Sequence, residues 1–123
     1  MPIPIRAAVA LAHVRNVSDS IDFYRRIGFE VGNTFTPAGE TQPSWVWLRS
    51  DGAQLMVARA GEPVIASQQA VLFYLYADDV AAKHAELKSA GVLVGEIAFP
   101  FYAPKGEFRV EDPDGYVLMV THT

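Results

Sequence analysis

The chain has 123 residues, half of them hydrophobic, which is enough to bury a core and fits one domain. A formal net charge of −4 with scattered basic residues argues against a nucleic-acid partner. The absence of cysteine excludes disulfides and thiolate chemistry, and no apolar run approaches the length of a membrane span.

The start, Met1-Pro2-Ile3-Pro4-Ile5-Arg6, lacks the basic-then-apolar order of a signal peptide, so a cytoplasmic protein without membrane association is expected. Ala7 to Val14 is a short apolar run that, as a strand, places Val9, Leu11 and His13 on one face. Asn16 or Ser18 can cap a helix carrying Val17, Ile21, Tyr24 and Ile27 at helical spacing, with Gly28 as its terminator. Phe29 begins a strand, and Thr36 to Pro43 reads as a loop. Trp45–Leu48 and Gln54–Ala58 flank the Asp51-Gly52 turn, a strong hairpin signal.

Gly61 to Gln69 reads as a connector, after which the order starts again. Val71–Ala77 is a strand, Asp79 caps a helix with Val80, His84 and Leu87, and Gly91 ends it. Val92–Val94 is a strand and Phe99–Lys105 a loop. Phe108–Glu111 and Val117–Thr121 flank the Asp112-Pro113-Asp114-Gly115 turn. Corresponding residues are separated by a constant 63 positions: Gly28 returns as Gly91, Gly32 as Gly95, and Asp51-Gly52 as Asp114-Gly115. A fixed period marks one structural unit used twice. The expectation is an α+β fold of two tandem βαβββ modules whose mixed sheet curls around a shared cleft. One domain spans 1–123, with module one at about 7–60, the connector at 61–69 and module two at about 70–123.

Three stretches carry a resemblance. His13 to Val31 contains Phe23-Tyr24 and Gly28-Phe29. Ala77-Asp78-Asp79-Val80 is followed by Glu86 to Val92, and Asp112 to Tyr116 closes the chain. Together they resemble the vicinal-oxygen-chelate superfamily of glyoxalases, extradiol dioxygenases and bleomycin-resistance proteins. The resemblance implies a homodimer, with a cleft that two chains can share. It also implies four positions where metal-dependent members carry ligands. Here those positions hold Val9, Leu72, Met56 and Met119. Val and Leu have no ligand atom, and thioethers suit Mg, Mn or Zn poorly. No metal and no cofactor are therefore expected.

The candidate ligand-binding residues are Val9, Leu11, His13, Trp45, Trp47, Met56, Leu72, Tyr74, Tyr76 and Met119. The tryptophans would stack on a planar ligand if exposed and are core otherwise. Met56 and Met119 are cleft floor or core filler. His13 is the one candidate general base, against a half-solvated strand-end histidine. His84 falls on the helix face that packs the sheet, and His122 is expected to fray. Glu107 and Arg109 read as a surface pair. The favoured function, resembling bleomycin-resistance proteins and antibiotic resistance by sequestration, is metal-independent binding of a small, partly aromatic molecule in an apolar cleft. The alternative is a lyase, isomerase or dioxygenase of the same superfamily with relocated metal ligands.

Overall fold

Asn16 and Asp79 open the two helices, α1 (Val17–Arg26) and α2 (Val80–Ser89), in a computed structural model that describes residues 2–123. Met1, the first residue of the expected domain, lies outside them. Each cap side chain accepts from the backbone N–H three residues on, Asp19 at 3.0 Å and Ala82 at 2.9 Å, which satisfies an otherwise orphaned donor. Just past the helices, Gly28 (φ +113°) and Gly91 (φ +80°) turn into left-handed backbone that glycine adopts without strain. Helix starts and stops therefore repeat with the sequence period.

The seven strands among the described residues, numbered in chain order, are β1 (Leu11–Val14), β2 (Glu30–Phe35), β3 (Trp45–Ser50), β4 (Ala53–Arg59), β5 (Leu72–Tyr76), β6 (Phe108–Glu111) and β7 (Val117–Thr121). They form two mixed sheets, ordered β1-β4-β3-β2 and β5-β7-β6. The β1–β4 and β5–β7 pairs are parallel, and the hairpin neighbours are antiparallel. The fold class is the expected α+β arrangement, with the sheets separate rather than closed into one.

Alternation decides which face is core. Val14, Val46, Leu48, Leu55 and Val57 turn inward against Val17, Phe23 and Tyr24 of α1. Phe108, Val110, Leu118 and Val120 turn inward toward Val80 and Leu87 of α2. These side chains form one continuous cluster. Polar contacts tie the repeats together at the Asp112–Tyr116 turn. Tyr24 donates its hydroxyl to Asp112 at 2.9 Å, and the Arg15 backbone N–H donates to Asp114 at 2.9 Å. The Tyr116 hydroxyl donates to the His13 carbonyl at 2.9 Å.

Two expected strands differ. The 7–14 run is strand only from Leu11; the last ladder contact is Met56 N–H to the Ala10 carbonyl, and Ala7 and Ala8 lie exposed with no bulk to bury. Val92–Val94 is not a strand. Only isolated bridges form, Val94 with Val110 and Ala98 with Glu107. These are four residues apart on one side and three on the other, so an extra residue interrupts the ladder. The first repeat carries the same irregularity between Val31 and Asn33, where Gly32 is the counterpart of Gly95.

Candidate ligand-binding site

The sheet faces turned away from the helices carry most of the expected site residues. On the first sheet, Leu11 pairs with Met56 and Met56 with Trp47; in the next row His13 pairs with Ala58 and Ala58 with Trp45. Both tryptophans are half-buried, and Phe35, beside Trp45, is exposed. Trp47 donates its indole N–H to Gln54 at 3.2 Å and carries the Arg49 guanidinium 5.8 Å from its ring centroid. Gly32 lies directly against it: a Cβ there would sit 2.5 Å from the Trp47 ring. Val9 precedes β1 and is half-buried.

On the second sheet Leu72, Tyr74 and Tyr76 share the outer face of β5, because Phe73 and Leu75 turn toward the core. Tyr74 pairs with Met119, and Met119 with Arg109. The tyrosines are open to solvent, Tyr74 at 45% and Tyr76 at 65%. Tyr102, from the loop before β6, reaches the same end of the sheet and donates to Glu107 at 2.9 Å. Its phenol is pushed above the usual tyrosine range, first by that hydrogen bond and then by the Glu107 charge.

Glu107 departs from expectation. It does not pair with Arg109, which contacts Glu111 at 3.2 Å. Instead it is 5% exposed, and its Oε2 has no hydrogen-bond partner among the described residues. No motif marked it; the only signal was its parity with Arg109 on the outer face. Tyr102 and Gln54 were likewise missed. His84 packs as expected, T-shaped on Phe108 at 4.9 Å with Nε2 2.9 Å from the Gly95 carbonyl. His122 does not fray: its Nε2 accepts from the Lys105 backbone N–H at 3.0 Å.

A groove of about 740 Å³ runs between the repeats along β5. Its depth is on the helix side, among Tyr24, Phe29, Leu87 and Leu118, and β5, with the exposed Leu72, Tyr74 and Tyr76, forms its rim. That volume lies within the range of drug-sized ligand sites. His13 faces a second cavity of about 420 Å³, with Glu62, Gln68, Gln69 and Tyr116. The expected residues are thus divided: the β5 trio shares a groove, the tryptophans and Met56 share the other sheet's face, and His13 lies toward the connector.

The four positions implied as metal ligands present only Val9, Leu72, Met56 and Met119, which do not fit a divalent ion. Among the described residues no group of three or more His, Cys, Asp or Glu side chains could hold one elsewhere.

The model of the glyoxalase/bleomycin resistance protein/dioxygenase superfamily matches residues 7–120. The chain belongs to that superfamily. Solved structures share its fold. A bleomycin-binding protein in complex with bleomycin superposes with a TM-score of 0.76 at 20% identity, over 97% of this chain and 99% of that one. The bleomycin resistance determinant encoded on the transposon Tn5 gives 0.77 at 19% identity, over 97% and 98%. A bleomycin-binding protein from Streptomyces verticillus, in complex with copper(II)-bleomycin, gives 0.74 at 17% identity, over 99% of both chains. No curated protein matches the chain in sequence. No helix among the described residues is long and apolar enough to cross a membrane.

Proposed function

We propose that this superfamily member binds a small, partly aromatic molecule and holds it without altering it, as a sequestering protein of the antibiotic-binding kind. The observation that carries the reading is the groove of about 740 Å³ edged by exposed Leu72, Tyr74 and Tyr76. An apolar concavity with a few polar groups is what such binding requires. Structural neighbours that bind bleomycin support it. Val9, Leu11, Trp45, Trp47, Met56 and Met119, on or beside the outer sheet faces, and His13, toward the connector, are further proposed contacts, and binding uses no metal. The protein acts in the cytoplasm as a homodimer of a single two-module domain. A second copy would wall the outer faces that one chain leaves open.

Calorimetric titration with aromatic antibiotics, bleomycin among them, tests the reading. Saturable binding is expected, with the ligand recovered unchanged by mass spectrometry and no stoichiometric divalent metal by elemental analysis. Sedimentation should give twice the 13.5 kDa chain mass. Turnover abolished by His13→Ala, or about one metal ion per chain, would contradict the reading in favour of an enzyme.

A further inference from the structure

Glu107 is a carboxylate without a matching donor. It is 5% exposed; Oε1 accepts the Tyr102 hydroxyl at 2.9 Å, and Oε2 has no partner among the described residues. A buried charge with one oxygen unsatisfied destabilises a fold, so its presence calls for a compensating group. The nearest cation along the strand does not supply one, since Arg109 turns to Glu111.

The surroundings specify what would. Glu107 precedes β6 and has the outward parity of Arg109. Continuing the β6–β7 ladder by one residue sets it beside Thr121, whose other neighbour is Tyr76. Tyr74 lies one row along on the same face of β5. Tyr102 is the ring in contact with the carboxylate, Tyr76 lies two strands across on the same face of the sheet, and Tyr74 and Tyr76 border the groove. Tyrosine faces attract cations, and an ionised acceptor makes a hydrogen bond roughly twice as strong as a neutral one.

We propose that Glu107, with Tyr74, Tyr76 and Tyr102, forms a subsite for a protonated nitrogen on the bound aromatic molecule, either an ammonium or an amidinium. Tyr102 is the movable part. It belongs to a surface loop and is 61% exposed, and in this assignment it swings aside to admit the cation to the carboxylate. This assignment rests on the aromatic-binding reading and adds to it the ligand's charge.

The test uses two planar probes of one shape, 2-naphthylmethylamine and 2-naphthalenemethanol, titrated into the full chain at neutral pH. The amine is a cation there and the alcohol is neutral. The amine should bind about tenfold more tightly, as a charge-assisted hydrogen bond predicts. Glu107→Gln, which keeps the acceptor for Tyr102, should bring the amine down to the alcohol's affinity and leave the alcohol unchanged. Glu111→Gln should leave the preference intact. Equal affinities in the unmodified protein would overturn the subsite while leaving aromatic binding standing, and this comparison needs no variant. A preference that survives Glu107→Gln would also overturn it. Failure of both probes to bind would overturn the aromatic-binding reading and the subsite with it.

Discussion

Tyr24 and Asp112 form a buried bond across the two repeats. The phenol, fully buried on α1, donates to Asp112 Oδ2 at 2.9 Å, while Asp112 Oδ1 accepts the backbone N–H groups of Asp114 and Tyr116, each at 2.9 Å. Burial raises the Asp112 carboxyl above the usual range, against the lowering effect of these donors. One carboxylate thus shapes the turn and fastens it to the first helix. Tyr24→Phe would leave Oδ2 buried without its donor, at a cost of about 1–3 kcal/mol. Urea denaturation should show that loss; an unchanged midpoint would mean the bond contributes nothing to cohesion.

The same pair fixes an alkaline limit. Burial first, then the Asp112 charge, pushes the Tyr24 phenol far above the ordinary tyrosine range. Above about pH 10 the unfolded chain releases this proton while the folded chain keeps it. The folded state then binds more protons, and stability falls as pH rises, by about 1.4 kcal/mol per pH unit for this one group. Denaturation midpoints between pH 9 and 11 should fall more steeply for the unmodified protein than for Tyr24→Phe. Parallel slopes would contradict the buried, protonated phenol.

Gly28→Val and Gly91→Val should each destabilise the fold by about 1 kcal/mol or more, because a branched residue is strained at positive φ. Gly91 has open space around it, so strain acts alone there; at Gly28 the nearest atom is the flexible Lys83 Nζ. Unchanged melting temperatures in both would contradict the shared helix ending.

Helix caps, terminating glycines and the Asp51-Gly52 hairpin were legible because each is fixed within a few residues. The faces of β1, β3 and β5 were legible from alternation, which placed Leu11 with His13, Trp45 with Trp47, and Tyr74 with Tyr76. What depended on distant partners was not. Val92–Val94 has the residues of a strand, but Leu93 is 91% exposed and the ladder with β6 is interrupted. Glu107 looked like a surface charge because its bridge to Ala98 and its bond from Tyr102 depend on how the 98–107 loop folds back, which no local pattern marks. The separation of His13 from the β5 tyrosines is a matter of how the repeats pack, which periodicity does not encode.

Gly32→Ala tests the support of the first sheet's outer face. The new methyl group would lie 2.5 Å from the Trp47 ring, so the indole must move. Overpacking of this kind costs about 1–3 kcal/mol. In a Trp45→Phe background the remaining emission should shift and the melting temperature fall. Unaltered emission would show that Gly32 does not hold the ring.

The central claim, a planar ligand held against aromatic faces, is tested most directly by tryptophan-fluorescence titration with aromatic antibiotics. The unmodified protein, the Trp45→Phe and Trp47→Phe variants, and the corresponding Leu variants are compared. Trp45 is the expected reporter, because Gly32 and Arg49 already occupy Trp47. Stacking contributes about 0.5–1.5 kcal/mol beyond buried area, so Trp45→Leu should weaken binding roughly threefold to tenfold, confirmed by calorimetry. A saturable signal lost in Trp45→Phe, with weaker binding in Trp45→Leu, is the predicted result. No saturable binding to any member of the panel would contradict the account.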